Sequence, residues 1–398
     1  MKIIPELRFP EFENDGEWVA KKFQELFEIG NGKDYKHLEG GDIPVYGSGG
    51  YMLSVNEYLY DGESVCIGRK GTIDKPMFLS DKFWTVDTLF YTYKFKDCLP
   101  KFIFYVFLNI NWLNHNEAGG VPSLSKRNIY KIETAVPPQL QEQQKIASCL
   151  SSLDELIAAH SQKLDLLKDH KKGLMQNLFP NPSSGSGGES VPKYRFPEFE
   201  NDGEWVEKKL GEVAELTSSK RVHLADYVSS GVPFFRGKEI SQLKNNQFPD
   251  DILYISNEQY KEIKDKYGVP KRGDILITAV GTLGNVYCIK NDDKFYFKDG
   301  NLIWMKNIAI YSHFLEVLLD VEKGKVLASA IGSSQKALTM AALNKLAFQI
   351  PENPREQQKI ASCLSAVDEL ITAQAERIAQ LQQHKKGLMQ GLFPKMEG

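Results

Sequence analysis

The stretch EQQKIASCLSSLDELIAAHSQKLDLLKDHKKGLMQNLFP, residues 142–180, returns almost unchanged as EQQKIASCLSAVDELITAQAERIAQLQQHKKGLMQGLFP at residues 356–394. Its apolar residues advance by threes and fours. Ile146, Leu150, Leu153, Ile157, Leu164, Leu167, Leu174 and Leu178 keep one narrow stripe, and Ile360, Leu364, Val367, Ile371, Ile378, Leu381, Leu388 and Leu392 keep the same one. That period predicts a helix with a coiled-coil seam. Pro137, Pro138 and Pro354 stand where a helix start tolerates proline, and His170-Lys171-Lys172 and His384-Lys385-Lys386 put positive charge toward the C-terminal ends, where the helix dipole favours it. At about 1.5 Å per residue, about 37 residues make a rod of roughly 55 Å. His160 falls on the seam where the other copy has Gln374, a polar position that sets register rather than a metal ligand.

A second repeat lies upstream of each long one: LRFPEFENDGEWVAKKFQELFE starts at Leu7 and YRFPEFENDGEWVEKKLGEVAE at Tyr194. The segments between short and long repeats, about residues 29–137 and 216–351, differ strongly. The chain is therefore written twice, in the order short repeat, variable globe, long repeat. The expected layout is a first globe at 1–137, a central spacer helix at 138–180, a linker at 181–193, a second globe at 194–351 and a C-terminal spacer helix at 352–398. The linker, NPSSGSGGESVPK, reads as flexible from its Gly, Ser and Pro. Near-identical seams separated by a whole globe suit two helices paired antiparallel about a pseudo-twofold axis. Two helical arms, each packed on its own globe, are the alternative the sequence leaves open.

The variable segments are mixed. Thr85–Phe95, Gly273–Val280 and Asn301–Lys306 carry the β-branched and aromatic content of strands, while Lys101–Leu113 and Tyr311–Ala330 read as helices. The globes also match faintly: Gly62–Ile73 parallels Gly273–Gly284, and Ser123–Pro137 parallels Ala337–Pro351. The fold class expected is α+β, with two α/β globes joined by two long antiparallel coiled-coil helices in a pseudo-twofold internal repeat.

Composition sets limits on function. No run of about 18 apolar residues exists, and MKIIPELRFPEFENDGEW lacks the apolar centre of a signal peptide, so no membrane association is expected. The five cysteines (Cys66, Cys98, Cys149, Cys288 and Cys363) are scattered, odd in number and without a CxxC pair. That speaks against a disulfide framework and a zinc site, so no metal is expected, and it suits a reducing cytoplasm. Cys149 and Cys363 are equivalent, apolar-flanked and read as inert. The net charge of −3 gives bulk electrostatics no pull on nucleic acid. The first variable segment holds 12 basic and 12 acidic residues and the second 18 and 14, so any DNA contact must rest on local surfaces.

This order of motifs resembles the specificity subunit of type I restriction-modification systems, over essentially the whole chain. The residues that carry the resemblance are the EQQKIA…DELI helix openings (Glu142–Ile157 and Glu356–Ile371), each after a proline. IPVYGSGGY…GESVCIGRKGT…FWTVDTLF (Ile43–Phe90), VPSLSKRNI (Val121–Ile129) and QKALTMAAL (Gln335–Leu343) add to it. The resemblance implies two target-recognition domains, each reading one half of a bipartite site in double-stranded DNA. It implies that the paired helices act as spacer and docking platform for two methyltransferase subunits, which restriction/motor subunits join. The subunit is then non-catalytic and without a cofactor of its own; S-adenosylmethionine, ATP and Mg are expected on the partners. The same scaffold could serve as an anti-restriction decoy or orphan scaffold that binds methyltransferase subunits without directing modification.

The chemistry motifs agree with a reader rather than an enzyme. No FxGxG cofactor loop and no [DN]PP[YFW] motif occurs; the nearest string, VPPQ (Val136–Gln139), lacks the acid or amide and the aromatic stacker that grip an extruded base. No catalytic residue is assigned. Pro249-Asp250 with Glu262-Ile263-Lys264 imitates a metal-dependent nuclease spacing, but NEQYKEIKDKYG is polar and helix-like rather than an apolar strand, and the match reads as coincidence.

DNA contact is expected from short polar loops. Arg69 and Lys70, with Thr72, sit between glycines in GRKGT and suit a phosphate clamp or an arginine on guanine, although a plain hairpin turn explains them equally. Ser48, in YGSGG, belongs to a loop that could cradle phosphate but lacks the P-loop lysine. Ser125, Lys126 and Arg127 precede the last helix of the first globe, and Ser334, Gln335 and Lys336 that of the second. Their hydroxyl, amide and cationic groups suit phosphates or base edges. The second globe has VGTLG around Thr282, without cations, so Arg236 and Lys238 are its expected basic loop.

Overall fold

The computed structural model describes residues 3–180, 190–333 and 336–395. Most of the expected linker, 181–189, and the candidates Ser334 and Gln335 lie outside the described residues. The chain forms two compact units, Met1–Lys163 with Gln374–Gly398, and Leu164–Ala373. The division falls inside both long helices, Leu140–Asn177 and Pro354–Leu392, so the helices are shared between the units rather than standing apart from the globes. Among the described residues no helix is long and apolar enough to cross a membrane.

In the first unit the strand signal at Thr85–Phe95 resolves into two strands, Lys82–Thr85 and Leu89–Tyr93, separated by a turn. Leu89–Tyr93 lies inside an antiparallel sheet ordered Glu28–Asn31, Leu89–Tyr93, Ser64–Gly68, Met77–Leu79. A second sheet runs Gly50–Val55, Gly40–Gly47, Lys82–Thr85, Tyr60–Asp61, with Val45 parallel to and opposite Trp84. The helix Pro100–Leu108 opens on its proline and buries Phe102, Ile103, Tyr105, Val106 and Phe107. It is shorter than expected because the chain turns after Leu108 and forms a separate 3-10 turn, Trp112–His115.

The second unit repeats the plan. One sheet runs Glu215–Thr217, Leu302–Lys306, Ile275–Thr278, Val286–Cys288; the other runs Tyr227–Val228, Leu253–Ile255, Val232–Phe235, Tyr296–Phe297. Ile275–Thr278 is buried along its whole length, as an inner strand must be. The expected helix Tyr311–Ala330 is two, Ser312–Val321 and Lys323–Ala328, which meet at Glu322.

The two long helices run antiparallel within each unit. In the first unit Ile146 and Leu150, at the start of one helix, share a core with Leu392 and Phe393, at the end of the other. Lys385 forms an ion pair with Asp154 there. In the second unit Leu178 and Phe179 share a core with Ile360 and Leu364, and Lys171 pairs with Asp368 (2.6 Å). Of the residues expected on the seam, Ile146, Leu150, Ile360, Leu364 and Val367 are buried, and Leu153, Ile157, Leu164, Ile371 and Ile378 are half-buried, as in a narrow seam. Gln374, also buried, donates through Nε2 to the His160 carbonyl (2.8 Å) and meets His160 Nδ1 (2.6 Å), so the two equivalent polar seam positions contact one another.

The repeated motifs build the joint between each globe and its helix. Arg8 donates two hydrogen bonds to the Glu142 carboxylate (2.8 and 2.7 Å), and Trp18 Nε1 donates a third (3.1 Å). Arg195 does the same to Glu356 (2.8 and 2.8 Å), with Trp205 adding a third (3.3 Å). The bonded carboxylate holds each guanidinium above its ordinary pKa. The next residue completes the joint. Gln143 accepts from Leu99 N (2.9 Å) and donates to Pro137 O (3.1 Å); Gln357 accepts from Tyr311 N (2.9 Å) and donates to Pro351 O (2.8 Å).

Candidate nucleic-acid interface

In the first unit the inner strand Ser64–Gly68 ends in a turn that only glycine permits. A Cβ at Gly68 would lie 1.9 Å from the Thr72 carbonyl oxygen, and Gly71 takes φ +87°, in the left-handed region. The turn sends the Arg69 and Lys70 side chains to the surface while their backbone is held. Both amides donate to Thr88 O (2.8 and 3.3 Å), and Leu124 N donates to Arg69 O (2.9 Å). Gly71 N donates to Pro122 O (2.9 Å), and Lys70 bridges to Ser123, so the SLSKR segment lies alongside.

That segment starts a helix. Ser125 Oγ accepts from Asn128 N (3.3 Å) and so caps Lys126–Lys131. Lys126 then reaches inward, donating to Ile29 O (2.6 Å); burial, followed by the charge of Arg69, pulls its pKa below the ordinary lysine value. Arg69 Cζ lies 5.9 Å and Lys126 Nζ 5.8 Å from the centroid of the Phe90 ring. They share a cleft of about 340 Å³ whose wall is completed by Asn31, Lys70, Glu117, Ser123 and Ser125. Glu117 accepts from Ser125 N (2.8 Å), and its hydrogen bonds to Ser125 keep its carboxyl below the ordinary range. Three cations face this single carboxylate over an aromatic floor, a surface suited to phosphate and to the edge or face of a base.

The structure thus brings Arg69, Lys70, Ser125 and Lys126 into one place. Ser48 is not part of the cleft wall but lies beside the turn, where a Cβ at Gly71 would meet its Oγ at 3.3 Å. Thr72 is half-buried and its carbonyl closes the turn, while Arg127 is exposed one residue along the helix. Phe90 and Asn31 are the lining residues that sequence reasoning missed. Both sit on paired strands, Glu28–Asn31 and Leu89–Tyr93, and nothing in their local sequence gives a sign of a cleft above.

The second unit rebuilds this frame without its charges. Ala279 N donates to Asn301 O (2.8 Å) and Leu338 N to Ala279 O (2.9 Å), the two bonds that hold Arg69 in the first unit. Thr339 caps Met340–Asn344 as Ser125 caps its helix. Ala279, Val280 and Met340 therefore stand where the first unit has Arg69, Lys70 and Lys126. Thr282 is exposed in the loop after Ile275–Thr278, its carbonyl accepting from Thr278 Oγ1, and Lys336 is exposed.

Arg236, expected in a free basic loop, is instead bound into the fold. Its backbone N–H donates to Glu239 Oε2 (2.7 Å) and its guanidinium to Glu239 Oε1 (2.6 Å) and Asp251 Oδ2 (3.2 Å). The Glu239 side chain is fully buried, and its hydrogen bond raises the Arg236 pKa above the ordinary arginine value. Lys238 keeps an exposed ion pair with Asp250 (3.1 Å), which stabilises little and leaves the lysine available. Lys298 was missed: its backbone N–H donates to Phe235 O (2.9 Å), beside Arg236, and its side chain is exposed. Arg236→Ala is expected to lower the stability of the second unit by about 2 kcal/mol, by leaving Glu239 buried without the hydrogen bonds of its half-exposed partner. It leaves sequence preference unchanged, whereas Lys238→Ala leaves stability unchanged. Denaturant titration together with DNA binding checks both.

The nuclease-like spacing does not assemble. Asp250 is bonded to Lys238 and Gln242, and Glu262 lies on the exposed face of the helix Asn257–Tyr267, bonded to Lys266. Each lysine draws its carboxylate below the ordinary pKa, and among the described residues no group of three metal-capable side chains includes either acid.

Comparison with known proteins adds the following. The profile of the family described as "Type I restriction modification DNA specificity domain" matches residues 15–169 and 202–383. A protein of Haemophilus influenzae named as a type I restriction enzyme specificity subunit is 26% identical over 84% of this chain and 83% of its own length. The MjaVIII specificity subunit of Methanocaldococcus jannaschii is 26% identical over 83% of this chain and 76% of its own. The crystal structure of a type I restriction-modification S subunit from M. genitalium shares the fold, with a TM-score of 0.66 at 15% identity, covering 99% of this chain and 100% of that one.

Proposed function

This chain belongs to the family of type I restriction-modification DNA specificity proteins, and on that premise we propose that each unit reads one half of a bipartite DNA site for partner subunits that carry out the chemistry. The observation that carries this reading is the repeated frame. A turn after the inner strand, pinned by the segment that caps the last helix, presents Arg69, Lys70 and Lys126 in one unit and Ala279, Val280 and Met340 in the other. One scaffold with two unlike faces suits two unlike half-sites. Lys238, Lys298 and Lys336 are the cations we assign to the DNA-facing surface of the second unit.

In this reading the paired helices hold two methyltransferase subunits, which restriction/motor subunits join, and the chain works in the cytoplasm. S-adenosylmethionine, ATP and Mg belong to those partners; the absence of a base-gripping motif in this sequence supports placing the chemistry there. Neither globe is strongly basic, so the partners supply many of the phosphate contacts. The test is co-expression with a cognate methyltransferase subunit, followed by mapping of methylated adenines. A bipartite motif is the expected result. An intact complex that leaves DNA unmethylated would make the chain a decoy, and metal-dependent cutting by the chain alone would overturn its non-catalytic role.

A further inference from the structure

We propose that Cys288, His313 and Glu316 form a binding site for a zinc-class divalent cation in the second unit. Cys288 ends the strand Val286–Cys288; His313 and Glu316 lie one turn apart on the helix Ser312–Val321. Their donor atoms, a thiol sulfur, an imidazole nitrogen and a carboxylate oxygen, all lie within 4.8 Å of one another. Sequence reading expects no zinc here because only the i, i+3 pair is local and the cysteine comes from another element.

The spacing fits the ion. His313 Nδ1 is 3.3 Å from Glu316 Oε2. Zinc bonds of about 2.0–2.1 Å to nitrogen and oxygen, arranged tetrahedrally, place two such ligands about 3.3 Å apart. A thiolate bonded at about 2.3 Å sits about 3.6 Å from them, so the donors, already within 4.8 Å of one another, close by about 1 Å at most. Glu316 is already oriented: its Oε1 accepts from Cys288 N (2.9 Å), which leaves Oε2 for the ion. His313 is 38% exposed and gives access from solvent. One sulfur, one imidazole and one carboxylate favour zinc over magnesium or calcium, which take oxygen ligands. On binding, the thiol releases its proton to solvent, the three ligands donate lone pairs, and no electron is transferred.

The first unit supplies an independent comparison. By sheet register and helix alignment its counterparts are Phe78, Lys101 and Phe104, where Lys101 Nζ sits 4.2 Å from the Phe78 ring centroid and the two phenylalanine rings are 5.8 Å apart. The fold is therefore satisfied at this place by aromatic packing. The polar trio is a substitution specific to the second unit, and an ion there ties the strand to the helix.

The test uses the full chain, stripped with a chelator and titrated with Co²⁺ as a spectroscopic probe. One equivalent is expected to give a near-ultraviolet thiolate-to-cobalt band that Zn²⁺ displaces. Cys288→Ser abolishes the band and Cys363→Ser retains it. His313→Gln, at a partly exposed position, removes a direct ligand and weakens Zn²⁺ binding by at least the roughly tenfold that loss of an outer-shell partner alone costs. No thiolate band in the wild-type chain, or a band that survives Cys288→Ser, overturns the proposal. If Cys288→Ser does not fold, unchanged Zn²⁺ affinity in His313→Gln overturns it equally.

Discussion

Replacing Arg8 by alanine is expected to lower the unfolding free energy of the first unit by about 3–5 kcal/mol, because it leaves Glu142 as a buried charge without its partner. The side chains of Arg8 and Glu142 are only 6% and 1% exposed, so water cannot take over the lost hydrogen bonds. Arg195→Ala does the same to the second unit through Glu356. Chemical denaturation followed by tryptophan fluorescence measures both, since Trp18 and Trp205 donate to these same carboxylates. Removing both charges, as in Arg8→Met with Glu142→Leu, is expected to recover part of the loss, because no buried charge is left unpaired, while Trp18 Nε1 still loses its acceptor. A loss below about 0.5 kcal/mol, the size of an ordinary surface change, would refute this account of the joint.

The second large effect is on DNA reading. Arg69→Ala with Lys126→Ala is expected to reduce methylation at the half-site read by the first unit by roughly 5- to 150-fold per lost base-edge contact, about 1–3 kcal/mol each. The other half-site keeps its preference, because Ala279 and Met340 hold the equivalent positions there. Lys126 also donates to Ile29 O, so Arg69→Ala alone separates recognition from folding. Contacts to phosphate give a different result: affinity falls uniformly across sequences and the salt dependence becomes shallower. Motif mapping on the variant complexes distinguishes the two, and an unchanged motif with unchanged salt dependence removes the cleft from the interface.

Much of the architecture was legible because it is written in repeats. The three-and-four spacing from Ile146 to Leu178 announced the long helix, and the match of His160 to Gln374 marked one polar position on each seam, while their hydrogen bond to one another appears only in the structure. Periodicity could not say what covers each part of the stripe. Ile146 and Leu150 are buried in the core of their own globe as well as near the second helix, which only three dimensions reveal. Arg69, Lys70, Ser125 and Lys126 were legible singly, but their meeting over Phe90 depends on the bridge from Lys70 to Ser123, between residues far apart in the chain. Arg236 was misread although its partner was in view: Glu239, three residues on, has the spacing of a capping box, and Asp251 is the nearby acid that completes the trap.

The joint made by Arg8, Trp18 and Glu142 is built again from Arg195, Trp205 and Glu356, entirely from residues of the two repeats. The cleft lined by Arg69, Lys70 and Lys126, by contrast, lies wholly within the variable stretch between them. Each variable stretch is therefore a cassette bounded by matching connectors. An exchange of one such stretch keeps the Arg–Trp–Glu joint chemically intact, and what it must still match is the helix start, through the packing of Phe102 and Ile103 on Ile146 and Leu150 and the bond from Tyr105 to Asp154. Exchanging the stretch between two connectors is then expected to change the exposed face that it presents while the joint to the helix stays the same.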